Sequence, residues 1–374
     1  MKIVFICSSL EQGHDGVGDY TRLLASEIIK QGNSAAILSI NDKYVNVVNA
    51  GIQTINEVDV PVMRIPSGLS NRKWLADAKS WIDDQNPEWF SLQFVPFGFN
   101  LKGLPFNLNK QLLFLGADRR WHIMFHELWV GIAEEESKKL FYWGLLQRAI
   151  IKSLLLKIQP AVIHTQTLLY QKLLDKLGFK AQLLPLFGNM PVIDISGDQG
   201  DKKHKNEISF VVFGLIHSGA PIADFAREAA QYSKSKNINI TLTFIGRCGP
   251  EQDRWAAIWK SEGLELKIMG EQSAEQISTI LSDSNMGISA TALAVIEKSG
   301  TFAAMRDHKL PVISVSKPWH PIGVSGLKTP DGVVEYSIGN FESCINADLK
   351  SNTNSLTKIA TELTNALSKA ANHG

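Results

Sequence analysis

Cysteine is scarce in this chain, and its three copies, Cys7, Cys248 and Cys344, lie far apart in 374 residues. That excludes a disulfide framework and a cysteine-based zinc cluster, and it suits a reducing compartment. An excess of one charge is also lacking: 38 Lys and Arg stand against 37 Asp and Glu, for a net charge of +1. No global field recruits nucleic acid or an anionic membrane, so electrostatic steering is local and no nucleic-acid partner is expected. The chain has no run of about 18 uncharged apolar residues, which excludes a membrane-spanning helix. The opening MKIVFICSSL has one lysine and a short apolar run. A signal peptide needs a longer apolar core and a small-residue cleavage site, so this stretch reads as the first strand of a cytoplasmic protein. Missing as well are a Ser/His/Asp pattern, a Walker loop, a solenoid-spaced repeat and any low-complexity tract.

What is present is an ordinary globular composition, 44% hydrophobic and 20% charged. The length allows about two domains of roughly 150 residues each. Residues 3–7 are a continuous apolar run, as in a strand covered on both faces of a parallel sheet. A polar loop, SSLEQGHDGVGDY, a helical pattern over 19–30 and an apolar run over 35–40 complete a βαβ unit. Further strands are expected at 62–65, 89–95, 123–125, 161–164 and 183–187, with helices at 71–84, 134–157 and 168–177. Residues 194–206, DISGDQGDKKHKN, almost lack apolar side chains and read as a linker. Alternation then restarts, with strands at 208–213, 240–245, 264–269, 286–289 and 311–315. Helices at 222–235, 252–261, 274–282 and 301–308 fall between them, and an amphipathic helix over 355–371 closes the chain. The expected fold is α/β: two facing, doubly wound Rossmann-like domains, 1–193 and 207–350, with a closing helix in 354–374. In such sheets ligands bind at the carboxyl ends of the strands, here in a cleft between the domains.

Several stretches at expected strand ends carry chemistry. In KSGTFAAMRDHKLPV, residues 298–312, Ser299, Gly300 and Thr301 open a helix whose first amides and dipole attract an anion such as phosphate. The alternative is an ordinary capped helix. In DGVGDYTRLLA, the glycines around Gly16, Val17 and Gly18 let backbone amides approach a phosphate or sugar, or else make a tight turn. Their spacing is not the dinucleotide fingerprint, and Asp42 is the one acid available for a ribose. In WHIMFHELWVG, His122 and His126 are separated by a strand spacing of about 13 Å, too far to share a metal. His126 and Glu127 fall at the strand end, where a catalytic or hydroxyl-binding group is useful; a histidine satisfied by a loop carbonyl is the other reading. FGLIHSGAP offers the amides of Gly214, Ser218 and Gly219 and a chargeable His217, while FIGRCGPEQ offers Arg247 to phosphate oxygens or to solvent. Residues 137–157, SKKLFYWGLLQRAIIKSLLLK, hold five cations and no acid among leucines and aromatics. They read as a peripheral helix on an anionic membrane surface, or as a half-buried helix with solvated lysines.

Taken together, these stretches resemble the retaining glycosyltransferases of family 4, which have the GT-B fold, and the resemblance covers nearly the whole chain. It rests on MKIVFICSSLEQGHDGVGDYTRLLASEIIKQG as opening strand, loop and helix, FHELW and PAVIHTQ in the first half, and FIGRCGPEQ, LKIMGEQSAEQISTILSDSNMGISAT and KSGTFAAMRDHKLPVI in order in the second. The resemblance implies a nucleotide-diphosphate sugar as donor, held mainly by the C-terminal domain without cofactor or metal. Gly16 would contact the diphosphate or sugar and His126 the transferred sugar. Met269 to Glu271 would flank the base, and Ser299, Gly300 and Thr301 would cap the diphosphate. A carbohydrate or lipid-linked acceptor hydroxyl would attack with retention, the leaving phosphate taking its proton, in surface polysaccharide or glycolipid assembly at the inner face of the membrane. The chain also departs from the family. The Arg and Lys usual after the first C-terminal strand are absent, leaving His217. Glu297 stands near the first of two family glutamates, while the second falls at Ala303 or Ala304. Asp15 replaces a loop glycine. Arg247, Lys298 and His217 are the candidates to supply the missing charge. A hexosyltransferase is therefore expected, with a catalytically impaired sugar-nucleotide-binding or accessory protein as the alternative and a sugar-nucleotide epimerase as a third reading.

Overall fold

The computed structural model describes residues 1–69, 73–116, 118–193, 206–350 and 353–372. Two units divide the chain: Met1–Pro185 with Pro321–Val324 and Leu356–Gly374, and Leu186–His320 with Ser325–Ser355. The change of unit comes at Pro185/Leu186, ahead of the expected linker, most of which (194–205) lies outside the described residues.

In unit 1 the apolar run becomes β1 (Lys2–Cys7), followed by α1 (Gly16–Lys30) and β2 (Ser34–Asp42). Next come β3 (Asn49–Ile55), β4 (Val58–Pro66), α2 (Lys73–Gln85), β5 (Trp89–Phe94), the short α3 (Pro96–Phe99) and α4 (Leu108–Gly116). Then follow β6 (Arg120–Phe125), α5 (Lys138–Ile158), β7 (Val162–Thr165), α6 (Leu168–Lys176) and β8 (Gln182–Leu183). The sheet order is β3-β4-β2-β1-β5-β6-β7-β8. β1 pairs in parallel on both sides, which is why its residues from Ile3 to Cys7 are all buried. Among the described strands of unit 1, β3 and β4 form the antiparallel pair, closed by Asn56 and Glu57 at φ 48° and 65°, the left-handed pair a two-residue hairpin turn needs. The sequence pattern misses β3 because it is an exposed edge strand with polar residues and a glycine.

Unit 2 alternates β9 (Glu207–Phe213), α7 (Ile222–Lys236), β10 (Asn239–Ile245), α8 (Glu251–Ser261), β11 (Glu265–Gly270) and α9 (Ala274–Asp283). It continues with β12 (Met286–Ser289), a 3-10 turn (Leu293–Lys298), α10 (Gly300–Asp307), β13 (Val312–Ser314), β14 (Val333–Glu335) and α11 (Phe341–Ile345). The order is β11-β10-β9-β12-β13-β14, with every pair parallel. Its core groups Phe210, Phe225, Trp255, Trp259 and Phe341 on one face and Ile296, Phe302, Met305 and Val312 on the other. The last helix, α12 (Leu356–Asn372), belongs to unit 1, where it buries Ile359, Leu363 and Leu367 and packs on α1. Both units are thus Rossmann-like, as the sequence led us to expect.

Candidate functional site

In an open parallel sheet, the strand order reverses at one point, and the loops leaving the two strands there splay apart to leave a crevice. In unit 2 this point lies between β9 and β12. The loop after β9 begins at Gly214, and the segment after β12 leads through Lys298 to Ser299. The two meet: a Cβ built on Gly214 would lie 2.7 Å from Thr301 Cγ2, and Gly214 has φ +75°. A side chain there is excluded twice over, by the left-handed backbone and by contact.

Ser299 caps α10. Its Oγ accepts the Phe302 amide at 3.3 Å and lies 2.9 Å from Thr301 Oγ1, while its carbonyl accepts the Ala303 amide. The amides of Gly300 and Thr301 find no acceptor among the described residues. They point out of the helix start, where the dipole favours an anion. His217, in the loop after β9, lies close enough to Lys298 and Lys317 for both to act on it. Burial lowers the His217 pKa, and the two ammonium groups lower it further. Without an anion beside it, His217 thus favours the neutral form. Lys317, leaving β13, is the residue the sequence reading missed; the KP pair after an apolar run marks only a strand end. Glu297 lies close enough to Arg306 to stabilise that buried guanidinium, and Ala303 and Ala304 are fully buried.

Arg247 and Glu271, both expected near the donor, bind each other at the carboxyl ends of β10 and β11. Arg247 Nε and Nη2 donate to the two Glu271 oxygens at 2.7 and 3.1 Å. Both side chains are about two-thirds exposed or more, 72% and 66%, so the pair is held weakly against a competing anion. Met269, at the end of the same strand, is exposed at 43%.

Unit 1 disposes of its glycine-rich turn differently. The helix starts at Gly16 rather than Asp19 because Asp15 caps it, accepting the Val17 and Gly18 amides at 3.0 Å each. Asp19 takes the Gly13 amide at 3.0 Å. The chain's own carboxylates thus occupy the anion-binding end of α1, and the amides of Val17 and Gly18 are engaged internally. Gly18 is needed for close packing, since a Cβ would come 2.4 Å from Ser9 O; Gly16 is exposed and open. Asp42 is not available to a ribose. It is buried and accepts from Ser9, Leu10, Ser39, Tyr44 and Arg64.

His126 is buried with both ring nitrogens occupied, by side chains rather than a loop carbonyl. Nδ1 accepts from Gln166 Nε2 at 3.0 Å, and Nε2 donates to Gln93 Oε1 at 2.9 Å. From there the chain runs on: Gln93 donates to Ser91 Oγ (2.7 Å), Ser91 Oγ pairs with His122 Nδ1 (2.8 Å) and His122 Nε2 with His164 Nδ1 (3.0 Å). The amides of Gln93 and Gln166, one accepting and one donating, put His126 in the Nε2–H form. Burial holds His126 at about 3 and His164 at about 4, and lowers His122 as well, so all three stay neutral at pH 7. His126 is therefore no proton donor to a phosphate. Glu127, half-buried, follows it at the end of β6, with its amide on Phe94 O. The sequence showed the histidines but not Gln93, Gln166 or Ser91, because β5, β6 and β7 are far apart in the chain.

No protein-family model matches the sequence, and no curated protein does. Solved structures do match in fold. The catalytic domain of starch synthase IV from Arabidopsis thaliana, bound to ADP and acarbose, superposes with a TM-score of 0.58 at 12% identity, covering 100% of this chain and 99% of that one. HepE from Anabaena, in complex with UDP and glucose, gives 0.54 at 14% identity, covering 100% and 95%. A UDP-GlcNAc 2-epimerase from Neisseria meningitidis, bound to UDP-GlcNAc, gives 0.52 at 9% identity, covering 99% and 100%. At these identities the likeness establishes the two-unit Rossmann-like fold of such proteins. A synthase and an epimerase share it, so chemistry has to be argued from the site.

Proposed function

We propose that the chain is a glycosyltransferase that uses a nucleotide-diphosphate sugar as donor and a hydroxyl group as acceptor. The observation that carries this reading is the switch point of unit 2. There Gly214 and Thr301 touch, the Gly300 and Thr301 amides face outward, Lys298 stands two residues before Gly300, and Lys298 and Lys317 both lie near His217 of the loop after β9. Amides at a helix start, with ammonium groups near the adjoining loop, suit the charge that grows on a departing diphosphate. In the reaction the bond from the sugar anomeric carbon to the phosphate oxygen breaks, a bond to the acceptor oxygen forms, and the leaving diphosphate takes the acceptor proton. Retention, membership of family 4, hexosyl transfer without a metal and a cytoplasmic role in surface polysaccharide or glycolipid assembly are the finer parts of the proposal. They rest on the order of the sequence motifs.

A second reading, a sugar-nucleotide-binding protein without transfer activity, is favoured by specific side chains. Buried alanines stand where the second family glutamate would be, and both nitrogens of His126 are engaged. Incubating the chain with UDP-, ADP- and GDP-linked hexoses and following nucleoside diphosphate release by phosphorus NMR separates the two. Turnover abolished by Gly214→Ala, with the product anomer matching the donor, supports retaining transfer. Binding without turnover favours the carrier, and neither binding nor turnover removes both.

The peripheral membrane contact proposed for 137–157 concerns α5. One side of this helix buries Gln147, Ile151, Leu154 and Ile158, and Gly144 lets it sit close against Val130. Phe141, Tyr142, Leu145 and Leu146 are exposed together with Lys138, Lys139, Arg148 and Lys152. Apolar groups among cations suit an anionic lipid surface. No helix among the described residues is long and apolar enough to cross a membrane. Flotation with vesicles of phosphatidylglycerol and phosphatidylcholine tests the contact: binding at low salt that Phe141→Ser with Leu145→Ser removes is expected, and no flotation refutes it.

A further inference from the structure

The described sheets end in four edge strands, β3 and β8 in unit 1 and β11 and β14 in unit 2. An edge strand offers a row of unpaired amides and carbonyls to any other strand, and proteins blunt it by shortness, charge or cover. Three of the four are blunted in this way. β8 has two residues and β14 three. β11 carries Glu265 and Lys267, and the carbonyls of Glu265 and Met269 accept from Trp259 Nε1 (2.8 Å) and Gln272 Nε2 (2.6 Å). β3 has none of these devices. It runs for seven residues, and from Tyr44 to Asn56 the chain has no Asp, Glu, Lys, Arg or Pro.

The open side of β3 follows from its pairing. The two-residue turn at Asn56 and Glu57 makes Ile55 and Val58 the closing hydrogen-bonded pair. By alternation, the N–H and C=O of Ala50, Ile52 and Thr54 point away from β4, and they meet no partner among the described residues. All three residues are exposed, Ile52 at 65%. Gln53 accepts from Arg22 of α1 at 2.9 Å, which places α1 on the Gln53 face of the strand and Ile52 on the other.

Two copies of this edge fit each other. Antiparallel pairing about a two-fold axis is isologous, so each contact is made twice. Centred on Ile52, it overlaps all seven residues: Ile52 faces its own copy, Ala50 faces Thr54, and Gly51 leaves room for Gln53. Ala50, Ile52 and Thr54 then complete a ladder of hydrogen bonds, the two Ile52 side chains meet, and no like charges stand opposite. The same pairing brings the carboxyl end of one β3 beside the amino end of the other. Glu57 follows β3 and Lys43 precedes it, both exposed and neither ion-paired among the described residues, so opposite charges approach at each end.

We infer that β3 is a pairing edge for a second copy of this chain, joining two unit 1 sheets through an antiparallel β3–β3 contact. The inference stands on the edge itself and holds whether or not the chain transfers sugar. One strand pair is a small interface, so the dimer forms reversibly at micromolar concentrations. Sedimentation of the full chain over a micromolar concentration series is expected to show a monomer–dimer equilibrium. Ile52→Lys sets two ammonium groups face to face at an exposed position. It is expected to weaken the dimer about tenfold or more with an unchanged melting temperature. At low salt Lys43→Glu is expected to weaken it too, because two carboxylates then meet at each end, and adding Glu57→Lys to restore it. Ile52→Cys is expected to cross-link to its own copy with a short bis-maleimide, the three native cysteines being buried, whereas Ile338→Cys, exposed at 71% in unit 2, is not. A chain that stays monomeric throughout overturns the inference. So does a dimer that Ile52→Lys or Lys43→Glu leaves intact, or one that Ile52→Cys does not cross-link, since another surface would then hold the two copies.

Discussion

The contact between Gly214 and Thr301 makes a sharp prediction for Gly214→Ala. An alanine at φ +75° carries left-handed strain of about 1–2 kcal/mol. Its Cβ would also stand 2.7 Å from Thr301 Cγ2, forcing that side chain to turn away from Ser299 Oγ and lose a hydrogen bond worth about 1 kcal/mol. The sum is about 2–3 kcal/mol. Gly263 supplies the control: its φ is +77°, but a Cβ there meets nothing within 4 Å, so Gly263→Ala carries the strain alone. In a domain of this size 1 kcal/mol moves the melting temperature by about 2–4 °C, so the two variants should be separated by that amount in calorimetry. With saturating UDP or ADP, Gly263→Ala should keep the full ligand-induced rise and Gly214→Ala should lose it. Equal melting temperatures and equal nucleotide responses would refute the reasoning, because the contact would then be neither tight nor part of a site.

Two further predictions concern unit 1. Its buried histidines stay neutral when folded, with His126 at about 3 and His164 at about 4, whereas in the unfolded chain they take up protons below about 6.5. Stability should therefore fall as pH drops from 6.5 toward 4, by about 1.4 kcal/mol per pH unit for each histidine, and urea midpoints that do not move between pH 7 and 5 would contradict this. Asp42 is also shifted downward, from a different cause: although burial alone would raise its pKa, Arg64 and backbone amides favour its charged form and lower it overall. Its stabilisation is present above the ordinary carboxylate pKa and is lost as pH falls through the lowered value. Asp42→Ala leaves Arg64 without its buried partner and should cost about 3–5 kcal/mol in guanidinium unfolding; a loss below about 1 kcal/mol would exclude the clamp described here.

The alternation of apolar runs and helical patterns revealed both Rossmann-like units because a parallel sheet buried on both faces needs runs such as those of β1 and β9, whose hydrophobic side chains are contiguous in sequence. What stayed hidden depends on pairing across distance. β3 lacks the pattern because it is an edge strand whose residues are mostly exposed. Asp15 looked like a glycine replaced; only the cap geometry reveals a carboxylate filling the start of α1. Arg247 and Glu271 were both legible as strand-end residues, but their mutual pairing required the β10–β11 neighbourhood. His217 looked like a charge in reserve until burial and two lysines were seen around it. Lys317 was not singled out, and of the Gln93–His126–Gln166 chain only His126 was, because its partners come from strands far apart in sequence.

The most direct test of the central claim is calorimetric titration of UDP and ADP into the wild-type chain and into Gly300→Pro. Proline suits the first position of a helix, Ser299 before it already has the extended backbone proline requires (φ −81°, ψ 120°), and space is open around Gly300. The substitution thus deletes one outward amide while leaving α10 intact. A hydrogen bond to a charged phosphate oxygen is worth about 1.5–3 kcal/mol, so affinity for at least one nucleotide should fall by about tenfold or more with an unchanged melting temperature. Unchanged affinity in Gly300→Pro, or no binding of either nucleotide to the wild-type chain, would contradict the account.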